Sequence, residues 1–144
     1  MFKLRVKNEV LEYFSKLLAT ETNSLSSREI YDGLLVRERL GSTGIGRGVA
    51  IPHARVDKNT ATLGAFLQIE QGVDYDAIDR QPVDLFFALV VPEACTEEHL
   101  QILAQLAEMF NDAEFRDKLR MLDDCDAKYR LLTTWQPTSW QPSQ

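Results

Sequence analysis

Cysteine and histidine are scarce in this chain, with two of each among 144 residues. Two cysteines, Cys95 and Cys125, are too few for a secreted domain stapled by disulfides. A reducing cytoplasm is the expected home. Long apolar runs are missing as well. The longest, LFFALVV at 85–91, falls far short of a membrane span and reads as a buried strand. No signal peptide opens the sequence. Positive charge is in the minority: 16 Lys and Arg face 22 Asp and Glu, a net charge of −6. The densest basic run is KLRVK at 3–7. Such a chain gains nothing from neutralising phosphates, so nucleic acid is not an expected partner. Several chemical signatures are absent too. No glycine precedes a lysine, which excludes a P-loop. No G-x-S-x-G elbow exists. HExxH, CxxC and His-x3-His spacings are missing, so no metal is expected. Cys95 beside His99 has no nucleophile signature around it.

What is present suits one domain with a real core: 44% of residues are apolar and 26% charged. Residues 8–20 carry Val10, Leu11, Phe14, Leu17 and Leu18 at helical spacing, with Asn8 as the expected N-cap. A second helix starts at Ser26, where Glu29 completes a capping box. Ile30, Leu34 and Leu40 share its expected inner face, and Gly41 stops it. GVAIPHARV at 48–56 is β-branched and apolar and reads as a strand. TATLGAFLQIE at 60–70 alternates, with Leu63, Ala65, Leu67 and Ile69 on one side. PVDLFFALVVP at 82–92 is apolar nearly throughout, as a central strand covered on both faces should be. QGVDYDAIDRQ between them is a turn-rich connection. The last third is helical. Thr96 caps a helix to about Phe110, with Leu100, Leu103, Leu106 or Ala107, and Phe110 inward. Another helix starts at Asn111 or Asp112, and a short one spans 126–134. The pairs Glu97-Glu98 and Asp123-Asp124 suit helix starts. Residues 135–144 repeat Trp-Gln-Pro and are expected to form a flexible tail. The expected architecture is a layered α/β domain over residues 1–134.

The glycine-rich stretch GSTGIGRGVAIPHARV at 41–56 asks for a reason. A dinucleotide turn needs a strand before it and a helix after; here the order is reversed. One reading is a sharp helix-to-strand connection with positive φ at several positions. Another is that missing side chains leave room for a molecule to approach His53, with exposed amides able to hold an anion. His53 ends an apolar run after Pro52. His99 lies in the first turn of a helix, whose positive end disfavours imidazolium. A neutral imidazole there can orient a second histidine or hold a phosphoryl oxygen. Each histidine alone also has an ordinary structural reading.

Three separated blocks, LVRERLGSTGIGRGVAIPHARV, DAIDRQPVDLFFALVVPE and EEHLQILAQLAEMF, resemble the second-type enzyme IIA domains of the phosphoenolpyruvate-dependent sugar phosphotransferase system. The nitrogen-regulatory IIA branch is the nearest in pattern. The resemblance spans residues 8 to about 132 and holds both histidines. It implies a mixed central β-sheet flanked by helices on both faces, in three layers. It implies that His53 accepts a phosphoryl group on Nε2 from a histidine-phosphocarrier protein of the HPr or NPr type. His99 is then the supporting histidine and Arg37 the cation that stabilises the phosphate. Ser42 and Thr43 would lie at the rim, and Gly44, Gly46 and Gly48 would shape a docking surface. No cofactor is needed, and the phosphorylation state would control downstream regulatory proteins. The competing readings are a transport IIA that passes phosphate to a IIB domain, and a binding module that transfers none. One departure is the start: only MFKLRVK precedes Asn8, so FKLRV supplies a shortened strand or the sheet lacks an edge. Another is Arg47, which adds positive charge near the site.

Overall fold

The computed structural model describes residues 6–58, 60–94 and 96–135, which form two compact units divided after Leu100. In the first unit, helix α1 (Lys7–Ala19) buries Val10, Leu11, Phe14 and Leu18. Its N-cap is Val6 rather than Asn8, which sits inside the first turn. Valine has no accepting oxygen, so Glu9 reaches back instead, its Oε1 accepting from the Val6 amide at 3.1 Å. Helix α2 (Ser27–Arg39) has the expected capping box. Ser26 Oγ accepts from the Glu29 amide at 3.1 Å, and Glu29 Oε1 accepts from the Ser26 amide at 3.1 Å. Ile30 and Leu34 are buried, but Leu40 is 81% exposed because the helix ends at Arg39 and the chain turns away there.

The sheet has five strands among the described residues: β1 (Gly44–Gly46), β2 (Val49–Ala50), β3 (His53–Val56), β4 (Leu63–Val73) and β5 (Val83–Pro92). β5 is central. β2 and β3 run parallel along one side of it, β4 runs antiparallel along the other, and β1 pairs antiparallel with β2. The single strand expected over 48–56 is thus two. Pro52 has no amide hydrogen and breaks the ladder, while its carbonyl still accepts from the Leu89 amide at 2.9 Å. Both pieces therefore stay on the same edge of β5. The glycine stretch holds β1, a strand the apolar pattern does not announce. β5 is buried at Val83, Leu85, Phe86, Ala88, Leu89, Val90 and Val91, so both of its faces are covered as expected.

Residues from α1 and α2 join Ala54, Val56, Leu67, Phe86, Ala88, Val90 and Tyr75 in one apolar core. Each fully buried Val, Leu, Ile or Phe side chain in it contributes roughly 1.5–3 kcal/mol. The strand FKLRV expected at 2–6 falls, but for Val6, outside the described residues.

Helix α3 (Thr96–Asn111) begins in the first unit. Thr96, expected as the cap, already lies within the helix. Leu100, expected inward, is 62% exposed, whereas Phe110 is buried as expected, and Leu103, Leu106 and Ala107 are half-buried; His99 and Met109 are buried as well. In the second unit, α4 (Ala113–Met121) is capped by Asp112, and α5 (Cys125–Thr134) by Asp124. Phe110, Phe115 and Trp135 stack edge-on in sequence, with centroids 5.7 and 6.3 Å apart. Trp135, expected to open the tail, is half-buried and donates from Nε1 to Asp112 Oδ2 at 3.3 Å. The rest of the tail, 136–144, lies outside the described residues.

Candidate functional site

The site is built where α2 ends and β3 begins. Pro52 turns the chain so that His53 opens β3, opposite Leu89 of β5. The imidazole is half-buried, and its Nδ1 lies 2.9 Å from the Ile51 carbonyl oxygen. A carbonyl only accepts, so Nδ1 carries the proton and Nε2 keeps its lone pair. That lone pair accepts from Arg37 Nε at 3.2 Å. Arg37 sits in the last turn of α2, and its Nη1 also donates to the Gly41 carbonyl at 2.8 Å. One guanidinium thus ties the helix end to the histidine.

His99 meets His53 edge-on, ring centroids 5.4 Å apart at 74°. It is 6% exposed, and its Nδ1 is buried with no hydrogen-bond partner among the described residues. Both rings are held neutral at pH 7. Burial pushes the His53 pKa below the ordinary value, and the Arg37 cation lowers it further; the Ile51 hydrogen bond and the Glu38 charge work the other way. Burial also lowers His99, followed by the repulsion that a protonated His53 would exert and by the Arg55 charge. The structure therefore brings together the three expected side chains, His53, His99 and Arg37, from three separate elements.

The flanking residues sit differently from expectation. Thr43 is not at the rim. It is 4% exposed, with its amide 3.1 Å from Glu38 Oε1 and its hydroxyl donating to Glu38 Oε2. Ser42 is half-buried; its Oγ donates to the Tyr75 carbonyl at 2.7 Å and accepts from the Gly44 amide at 3.0 Å. Gly44, Gly46 and Gly48 are buried, and the outer surface of the β1–β2 hairpin is made by Ile45 and Arg47. The hairpin turns at Arg47-Gly48, whose φ values of 59° and 80° match a type I′ turn. It lies hard against the loop 74–80: a Cβ at Gly44 would fall 2.8 Å from the Ala77 backbone. The Gly44 carbonyl accepts from the Ile78 amide at 3.2 Å. Asp79 closes the tip, Oδ2 accepting from the Arg47 amide at 2.8 Å and Oδ1 from the Gln81 amide at 3.1 Å. These amide hydrogen bonds hold the Asp79 carboxyl below its usual range.

Four contributors escape a reading of the sequence. Asp79 looks like one more turn residue. Glu38 and Lys7 look like solvated helix charges, yet they form an ion pair at 2.9 Å with the Glu38 side chain 3% exposed. Arg55 had a usable signal, since a strand places residues 53 and 55 on the same side. Its Nη2 donates to the Glu93 carbonyl at 3.0 Å.

Comparison with known proteins gives a consistent answer. The family model for the phosphoenolpyruvate-dependent sugar phosphotransferase system, EIIA 2, matches residues 2–134. A nitrogen regulatory protein of Pseudomonas aeruginosa is 44% identical over 130 residues, covering 90% of this chain and 84% of that protein. The crystal structure of the nitrogen regulatory protein IIA-Ntr from Neisseria meningitidis superposes with a TM-score of 0.86 at 38% identity, covering 91% of this chain and 89% of that one. IIA mannitol from Escherichia coli superposes with a TM-score of 0.75 at 22% identity, covering 91% and 92%, and shares the fold.

Proposed function

The chain belongs to the EIIA 2 family of the phosphoenolpyruvate-dependent sugar phosphotransferase system, and on that premise we propose that it accepts a phosphoryl group on Nε2 of His53. The observation that carries this reading is the tautomer: Nδ1–H is held by the Ile51 carbonyl, and the Nε2 lone pair accepts from the Arg37 guanidinium. The donor is a histidine-phosphocarrier protein of the HPr or NPr type. In the transfer, the Nε2 lone pair forms a bond to phosphorus as the carrier's N–P bond breaks, and that electron pair returns to the carrier's ring. No proton must move. The positive charge that develops on the His53 ring is stabilised through Nδ1–H and the Ile51 carbonyl. Phosphoryl transfer asks the protein mainly for in-line placement and charge stabilisation.

Arg37 occupies the position where phosphorus must arrive. It therefore swings its Nε–H from the ring nitrogen to the phosphoryl oxygens, where its fork can bind two of them. His99, neutral and 5.4 Å away, supplies one N–H to a further oxygen.

The output is regulatory. The similarity to nitrogen regulatory proteins over most of both chains supports this. A phosphate adds charge and acceptor oxygens to the surface around His53, enough to change which protein binds there. The match over 2–134 supports reading residues 1–134 as one domain. No helix among the described residues is long and apolar enough to cross a membrane, and the reading places the protein in the cytoplasm.

The test is intact mass after incubation with phosphoenolpyruvate, enzyme I and the carrier. One added phosphoryl group is expected, and none in His53→Ala. Phosphorylation that persists in that variant would refute the assignment. Onward transfer to a sugar-specific IIB domain would favour a transport role.

A further inference from the structure

Behind the histidines lies a buried polar cluster that the transfer chemistry does not use. Glu38 is 7% exposed, one residue beyond Arg37 in α2. Its carboxylate pairs with Lys7 Nζ at 2.9 Å and accepts both the amide and the hydroxyl of Thr43. The Tyr75 hydroxyl is 3.4 Å from Thr43 Oγ1, and Lys7 Nζ stands 4.5 Å over the Tyr75 ring centroid. Tyr75 is fully buried, and burial together with the Glu38 charge pushes its pKa up, so it stays a neutral phenol. Buried ion pairs of this kind contribute little net stability, because desolvation offsets the attraction; well-packed apolar residues often serve as well. The cluster therefore needs another reason to be where it is.

The geometry points to one: we propose that Glu38, neutralised by Lys7, is a positioning residue that braces the 41–43 link so that Arg37 is aimed at His53. The path is continuous. Glu38 fixes Thr43 at both its amide and its hydroxyl. Thr43 in turn accepts from the Ile51 amide through its carbonyl at 3.1 Å, and the Ile51 carbonyl orients His53. The same link presents the Gly41 carbonyl to Arg37 Nη1, which leaves Arg37 Nε for His53 Nε2. One carboxylate thus holds the backbone that orients both the guanidinium and the imidazole. Lys7 reaches it from the start of α1, so the first helix is tied to the site as well.

This inference rests on His53 as the phosphoryl acceptor, but its test does not need phosphate. In the unphosphorylated protein, exchange of the Arg37 Nε–H is read by NMR in wild type, Glu38→Gln and Lys7→Met. Glu38→Gln keeps the shape and removes the charge that pairs with Lys7 and grips Thr43. In both variants the Arg37 Nε–H should exchange at least about tenfold faster, and transfer from the carrier should slow about tenfold. A purely structural role predicts a lower melting temperature with the Arg37 exchange unchanged; that result would overturn the proposal. If Glu38→Gln does not fold, Lys7→Met decides by its Arg37 exchange alone. A wild-type chain that takes no phosphate while these signals shift as stated would sink the proposed function and leave the positioning role standing.

Discussion

Arg37 carries two jobs with one planar group, and lysine cannot do both. Its Nε and Nη1 are engaged at once, on His53 Nε2 and the Gly41 carbonyl. Arg37→Lys should leave the fold intact and slow phosphorylation by about tenfold or more, measured by rapid quench, because a point charge replaces the fork. An unchanged rate would remove Arg37 from the chemistry. His99→Ala should also slow transfer about tenfold with an unchanged circular dichroism spectrum; a collapsed spectrum would assign His99 to the core instead. The pH profile follows from the neutral nucleophile. Burial and Arg37 hold the His53 pKa below the ordinary 6.5. The transfer rate should therefore be flat at neutral pH and fall only as pH drops through that lowered value. A midpoint above 6.5 would contradict the desolvated, Arg37-facing imidazole. At this scale the sequence was informative about types and blind to orientation. Two histidines and an arginine stand out by motif. That Thr43 turns inward to Glu38, rather than outward to a partner, depends on a buried acid that in sequence looks like any charge on a helix.

Helix α2 is brought to β3 by the absence of a side chain. A Cβ at Gly33 would fall 2.9 Å from the Ala54 Cβ, and Gly33 lies about one turn before Arg37, as Ala54 lies next to His53. Gly33→Ala should therefore push the helix away from the strand. Overpacking of this kind costs about 1–3 kcal/mol. It should lower the melting temperature and weaken the Arg37–His53 contact, seen as faster Arg37 Nε–H exchange. A variant with wild-type stability and exchange would show that the close approach does not set the geometry. The capping box of α2 was legible because its three-residue spacing is local chemistry. The break between β2 and β3 was legible only as Pro52, since its consequence depends on β5 continuing alongside. The hairpin strand β1 was hidden because glycine carries no apolar pattern, and its place is set by contacts with Ala77, Ile78 and Asp79, some thirty residues away.

For the whole molecule, the mixed α/β class was readable from the order of periodicities, and the apolar run of β5 marked the centre of the sheet. Which residues end up beside one another was not readable from periodicity; the resemblance to a family supplied it. Burial of two histidines also ties stability to pH. The fold holds the pKa of both rings below 6.5, so the unfolded chain binds protons that the folded one does not. Their contribution is fully present above about 6.5 and is lost as pH falls through the folded values. Urea midpoints should decline over that window, and His53→Ala with His99→Ala should flatten the decline. Carboxyls such as Asp79 and Asp112, held below their usual values by hydrogen bonds, act in a separate and more acidic window.

The most direct measurement is a proton–nitrogen long-range correlation spectrum of the chain after phosphorylation by its carrier. The arrangement of Ile51, His53 and Arg37 predicts a phosphoryl group on Nε2 of residue 53, with the proton retained on Nδ1. A phosphoryl group on Nδ1 of that ring, or on the ring of residue 99, would contradict it.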